Sequence, residues 1–326
     1  MKPLIAALVL VAITPVWGSA PTSAAEAPYP TRPLRIIDPF PPGGATDYLD
    51  RIIAPRLSER LGQPVIVDNR PGAGGNLSAE IAARATPDGY TLLMNLPGGM
   101  ASGRVLFPKL AYDVTRDFAY ITLVAAGTYV LVAHPALQAK TVGELVALAK
   151  AKPEQLRFGS AGIASPPHLA VELFKLRTGT RILHVPYKGA GPLVASLAGG
   201  EVHLGFASPA GVTALVKAGR LNALAVSSAK RAKALPTVPT VAEAGYPDFD
   251  VTPWYAYMAP AGTPRTIVKR LNDEIGSILD TPEVQAAFLT QGLEAMRSTP
   301  ERLRQIMHDE LARWTKLIKD ANITAE

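Results

Sequence analysis

The 326-residue chain contains no cysteine. That excludes disulfides, thiolate metal sites, a cysteine nucleophile and the lipidated cysteine that would tether an exported protein to a membrane. The short signatures of several enzyme classes are missing too. There is no GxxxxGK[ST], and neither "GAGGNL" nor "GAGPLV" completes GxGxxG, so nucleotide and dinucleotide readings are poor. The nucleophile elbow GxSxG is absent, because "FGSAG" lacks the first glycine. The histidines, at 134, 168, 184, 203 and 308, form neither HExxH nor another close metal pair. Lysines and arginines are scattered rather than clustered with aromatics, so the formal charge of +6 reads as a basic, soluble surface without a nucleic-acid footprint. No metal and no cofactor is expected.

The 48% hydrophobic and 18% charged composition is that of a soluble globular protein. Met1-Lys2, an apolar run from Leu4 to Trp17 and the small residues Ser23-Ala24-Ala25 read as a secretory signal peptide over 1–25. A membrane anchor fits less well. The run falls short of the roughly 20 apolar residues a spanning helix needs, and Pro15 interrupts it. The expectation is a free, soluble, periplasmic protein.

After the leader, strands and helices alternate, which predicts an α/β architecture with largely parallel sheets. Strands are expected over Leu34–Ile37, Val65–Val67 and Thr91–Met94, with a helix over Asp47–Leu61 that Pro55 should kink. A second series runs from Val130–Ala133 to the strand Ala223–Ser227, including a helix over Leu169–Thr178 that a proline can open. The strand Trp254–Met258 is then followed by helices alone, the last of them striped with Leu303, Ile306, Met307, Leu311, Trp314, Leu317 and Ile318 as core. Two lobes are expected, 26–128 with 253–326 and 129–252, joined by crossings near 125–130 and 245–255. A cleft between domains is a preferred place for a small-molecule site.

Four turns share a strand–Gly–helix layout: "PFPPGGATD", "NRPGAGGN", "GSAGIASPPH" and "PYKGAGP". In an open sheet, turns at the carboxyl ends of strands border the ligand crevice. Glycine allows close approach to backbone N–H groups, and the following helix offers unpaired donors and a partial positive charge, a way to hold an anion. In "PFPPGGATD", Thr46 and Asp47 are placed to cap the helix. Ordinary loop glycines would look the same, so the turns alone leave both readings open. A small carboxylate fits them better than a polyphosphate. Ser160, Ser165 and His168 lie close in sequence and keep a secreted serine hydrolase as a rival, although no orienting acid is evident. His184 reads as a strand residue.

"PFPPGGATD", "NRPGAGGN", "PDGYTLLM", "YDVTRDFAYITLV", "HVPYKGAGP", "LPTVPTVAEAGYPDF" and "APAGTP", in this order, resemble the Bug family of extracytoplasmic solute receptors, the substrate-binding proteins of tripartite tricarboxylate transporters. The resemblance implies a two-lobe periplasmic binding protein fold, type II-like, with two mainly parallel sheets flanked by helices and a ligand cleft between the lobes. It implies a monomer that is not an enzyme, closes on a small organic carboxylate and serves membrane permease subunits. An aromatic carboxylate, or signalling without a permease of its own, is the alternative. Carried onto this sequence, the first loop gives Phe40, Gly43, Gly44, Thr46 and Asp47, which meet a carboxylate through backbone groups and bridging waters. The second-lobe turns give Ser160, Ala161, Gly162, Ser165, His168, Tyr187 and Lys188, with Asn95 and Ser208 in further loops. The chain departs from the family pattern at Ala164, at Asp38 among residues that are usually apolar, at His203 and in "NLPGGMASG".

Overall fold

The computed structural model describes residues 29–107, 109–163 and 165–324. The expected signal peptide and Ala164 lie outside them. The first series comprises β1 (Leu34–Asp38), α1 (Ala45–Leu61), β2 (Val65–Asn69), α2 (Asn76–Ala83), β3 (Thr91–Asn95), α3 (Pro97–Leu106) and β4 (Phe118–Ala126). The second comprises β5 (Val130–Ala133), α4 (Val142–Ala151), β6 (Arg157–Ser160), α5 (Pro166–Thr178), β7 (Leu183–Pro186), α6 (Ala190–Gly199), β8 (Leu204–Ala207), α7 (Pro209–Lys217) and β9 (Asn222–Val226). The chain then returns through β10 (Trp254–Pro260), α8 (Arg265–Leu279), α9 (Pro282–Thr290), β11 (Glu294–Ala295) and α10 (Pro300–Asp320).

Local chemistry explains the boundaries. Gly62 and Gly179 close α1 and α5 in the left-handed conformation, at φ 69° and 64°. Thr141 and Glu144 form a capping box on α4, and Thr299 accepts from Arg302 N at the start of α10. Both Pro166 and Pro167 fall in the first turn of α5, where a missing N–H costs nothing. Helix α1 continues through Pro55 to Leu61.

The strands form two sheets, ordered β11-β4-β10-β3-β1-β2 and β7-β6-β8-β5-β9. Both are mixed rather than mainly parallel. β1 pairs in parallel with β2 and β3, and β6 with β7 and β8, but β10 and β5 run antiparallel to both neighbours. The chain path gives the reason. β5 and β10 are the strands on which the chain arrives from the other sheet. Trp254 at the start of β10 pairs with Ala126 at the end of β4, and Val130 at the start of β5 pairs with Ala207 and Val226 at the ends of β8 and β9. The carboxyl ends of the parallel strands therefore gather beside the two crossings. Where helices alone were expected after β10, β11 follows α9 as a further strand, paired with Ala125 and Ala126 of β4. Helices α8 and α10 pack on β4, and α10 also on α3, which returns the C-terminal helices to the first sheet. The α10 stripe is buried at Leu303, Ile306, Met307, Trp314, Leu317 and Ile318, with Leu311 packed at its margin.

Candidate ligand-binding site

β1 ends at the buried Asp38, and the chain turns through Pro39–Gly44 into α1. Asp38 Oδ1 accepts from Phe40 N at 2.8 Å and from Thr46 Oγ1 at 3.1 Å. Asp47 Oδ2 accepts from Gly43 N at 2.9 Å and Arg51 Nε at 2.8 Å, while its Oδ1 accepts from Asn69 Nδ2 at 3.1 Å. Burial would raise the Asp47 pKa, but these hydrogen bonds outweigh it and hold the carboxyl below the usual carboxylate range. Thr46 and Asp47 thus brace the turn instead of capping the helix. The N-cap is Gly44, which has no side chain to offer, and no side-chain cap bond is made. The first turn of α1 keeps its unpaired amides and the positive end of its dipole.

That open turn borders a cavity of about 370 Å3. Phe40, Pro41, Pro42, Gly43, Gly44, Ala45 and Thr46 form one side, and Ala161, Ser165–Pro167, Lys188–Leu193 and Phe206–Ser208 the other. The second side has few donors. At α5, Pro166 and Pro167 carry no N–H, and His168 N and Leu169 N are bonded to Ser165 Oγ and O. The Ser165 hydroxyl itself donates to Gly162 O at 2.6 Å. The start of α6 is different, because its N-cap is Gly189, at φ 111° and without a side-chain cap, and the exposed Lys188 stands beside it. Ser208 is the N-cap of α7, and its hydroxyl makes no cap bond.

Leu96, Tyr129 and Tyr255 complete the lining beside Phe206. Tyr129 and Tyr255 lie on the two crossings, and burial raises both phenols far above their ordinary value, so both stay neutral. Sequence reasoning missed them. The available signal was an aromatic residue on each crossing.

Of the residues expected at the site, Phe40, Gly43, Gly44, Thr46, Ala161, Ser165, Lys188 and Ser208 line this cavity. Asp47, Asn95, Ser160, Gly162, His168 and Tyr187 are not among the lining residues. Asn95 Nδ2 donates to Gly75 O at 3.2 Å and its Oδ1 accepts from Leu96 N at 2.7 Å, which ties the glycine turn after β2 to the end of β3. Tyr187 N donates to Ser160 O, and a Cβ on Gly162, at φ 130°, would stand 3.3 Å from Tyr187 O. Ser160 Oγ lies 2.7 Å from His184 Nε2, so its histidine partner is His184 and not His168. The His168 ring stacks on His184 at 4.3 Å, and His184 in turn on Phe158 at 4.6 Å. Burial, followed by nearby positive charge, lowers the His168 pKa to about 3 and that of His184 to about 4. The carboxylate near this stack is Glu172, with Oε1 3.9 Å from His168 Nε2, and it is paired with Lys175 at 2.9 Å. A neutral, stacked, buried pair of this kind is a structural support. His203 likewise serves the backbone, its Nδ1 accepting from Arg157 N at 2.9 Å.

The model of the tripartite tricarboxylate transporter family receptor matches residues 49–323. Protein BugT of Bordetella pertussis is 41% identical over 303 residues, which are 93% of this chain and 92% of that protein. Among solved structures, Rpa4515 of R. palustris with adipate is 37% identical with a TM-score of 0.85, covering 91% of this chain and 99% of that one. MatC from Rhodopseudomonas palustris with bound malate is 31% identical with a TM-score of 0.82, covering 89% and 100%. The two-lobe architecture, the ordered glycine turns and the open amide turn at the cavity now share one explanation: this chain belongs to the Bug-type receptors of the tripartite tricarboxylate transporter family, which bind solutes and are not enzymes.

Proposed function

We propose that the protein captures a small organic carboxylate in the cavity between lobe 1 (26–128 and 253–326) and lobe 2 (129–252). It would do so in the periplasm, after loss of residues 1–25, and deliver the acid to a tripartite permease. The observation that carries this reading is the uncapped start of α1 at Gly44, facing a cavity whose walls are otherwise mostly apolar. One carboxylate takes the amides of Gly44, Ala45 and Thr46. A second takes the start of α6 and Lys188. Leu96, Tyr129, Phe206 and Tyr255 then enclose an apolar body. Adipate in one relative and malate in another are both dicarboxylates, and the wall composition favours the former type. The same aromatic wall supports a second reading, an aromatic carboxylate.

Calorimetric titration with adipate, malate, benzoate and an uncharged amide tests this. Adipate or benzoate should bind more tightly than malate, and the amide not at all. At about 100 times its Kd, the bound acid should add roughly 2.7 kcal/mol of stability. Failure of every carboxylate to bind would overturn the assignment. Uptake of the bound acid by cells with and without the gene decides delivery.

A further inference from the structure

Two oxygen atoms beneath the carboxylate turn lack partners. Asp38, at the end of β1, and Asp50, in the second turn of α1, are both wholly buried, and neither Asp38 Oδ2 nor Asp50 Oδ2 meets a hydrogen-bond donor. Their other oxygens are engaged. Asp50 Oδ1 accepts from the Tyr257 hydroxyl at 2.5 Å, and Asp38 Oδ1 holds Phe40 N and Thr46 Oγ1. The two carboxyls are also within hydrogen-bonding reach of each other. Two carboxylates cannot bond without a proton, and buried oxygens without donors are costly. A single proton held between the two carboxyls removes the conflict.

The charged groups around the pair offer no substitute. From α1 come Asp47 and Arg51, already paired with each other at 2.8 Å, with the Arg51 side chain 57% exposed. From β10 comes the neutral phenol of Tyr257. β2 and β3 bring Asn69 and Asn95, both uncharged. Burial raises the pKa of both acids, and the Asp38 charge adds to the rise at Asp50.

We propose that Asp38 and Asp50 share one proton and together position the carboxylate-binding turn, so that ligand affinity falls when this proton is lost at alkaline pH. Asp38 grips the turn at both ends, at Phe40 and at Thr46. Loss of the proton places two like charges in the core, which drives Asp38 off these donors and adds negative charge beneath the ligand's carboxylate. Asp38 and Asp50 are positioning residues, acting through the turn. The inference rests on the carboxylate assignment above, and its test separates the two.

Adipate affinity is measured for the whole mature protein from neutral to alkaline pH. The wild type should weaken about tenfold, a change of 1.4 kcal/mol. Asp50→Asn supplies a fixed N–H in place of the proton and should remove that dependence. Asp38→Val should bind at least about tenfold more weakly throughout. An alkaline loss as steep in Asp50→Asn as in the wild type would overturn the proposal. A measurement without ligand decides the matter independently of variant folding. In ligand-free wild type labelled with 13C at the aspartate carboxyls, one carbon of the pair should keep the protonated shift at neutral pH. Its alkaline titration should coincide with faster exchange of the Phe40 amide. Both carboxyls ionised at neutral pH, or Phe40 exchange indifferent to the titration, would sink it. Absence of adipate and benzoate binding at every pH would count against the carboxylate assignment instead, with the 13C titration still deciding the pair.

Discussion

Gly43 and Gly44 are adjacent, yet each is glycine for its own reason. Gly43 sits at φ 87°, where an L side chain is strained although a Cβ would meet nothing within 4 Å. Gly44 has an ordinary extended backbone, and its Cβ would stand 3.6 Å from Pro41 O, a normal contact. Gly43→Ala should therefore lower stability, by about 1 kcal/mol in unfolding experiments. Gly44→Val should leave the melting temperature unchanged and weaken adipate binding about 100-fold, roughly 2.7 kcal/mol. Unchanged affinity in Gly44→Val would remove the anion role of this turn. The double glycine was legible in the sequence, but the division of labour was not, since φ values depend on the closed turn. The histidines show a similar limit. Ser160, Ser165 and His168 are neighbours in sequence and looked like partners, whereas His184 reaches Ser160 through the parallel pairing of β6 and β7, which sequence spacing does not display. The neutral stack carries its own pH dependence. His168 has its folded pKa depressed, so its stabilisation is complete above about 6.5 and is lost as pH falls towards about 3. Unfolding free energy should drop by about 1.4 kcal/mol per pH unit below 6.5 for His168 alone. An equal slope in the wild type and in His168→Gln between neutral pH and pH 5 would contradict this.

Among the elements, α10 and α3 meet through a glycine and a buried acid. Glu310 Oε2 accepts from Trp314 Nε1 at 2.6 Å, and a Cβ on Gly98 of α3 would lie 2.7 Å from that oxygen. Burial raises the Glu310 pKa, against the lowering influence of Arg313 and Trp314. A raised carboxyl contributes stability that is complete below about 4.3, the unfolded value, and is lost as pH rises through the folded one. Glu310→Gln keeps an acceptor for Trp314 and removes this loss, so it should melt at a higher temperature than the wild type at neutral pH and not at acid pH. Equal differences at both pH values would refute the assignment. The amphipathic stripe of α10 was readable because it repeats over 21 residues. β4 and α3 were not. β4 is a nearly continuous apolar run, buried on both faces, and such a run gives no period from which to read a partner or a direction. The reversed direction of β5 and β10 follows from the crossings, which are properties of the chain path.

At the scale of the whole molecule, family and architecture were legible because seven motifs recur in order, while the cavity wall was not, because Tyr129 and Tyr255 gain their role only when the two crossings are brought together. The two halves also touch away from the cavity. Lys233 bonds Glu294 at 2.7 Å, Gly74 lies against Ile163 O, and Gly292 lies against Pro209, where a Cβ would come within 2.7 Å of the ring. These contacts differ in weight. Lys233 and Glu294 are 72% and 40% exposed, so the pair is worth at most about 1 kcal/mol, and Lys233→Ala should change adipate affinity little. Gly292→Val is another matter, since at φ 71° it strains the backbone and its side chain also wedges the start of α7 away from the first sheet. If binding requires the halves to meet, apparent affinity scales with the fraction of molecules able to do so, and a tenfold loss of that fraction raises Kd about tenfold. In small-angle scattering, adipate should compact the wild type and Lys233→Ala, but compact Gly292→Val only at about tenfold higher concentration. Equal compaction of all three at the same adipate concentration would mean that the ligand is held without any approach of the two halves, and closure on the carboxylate would fall.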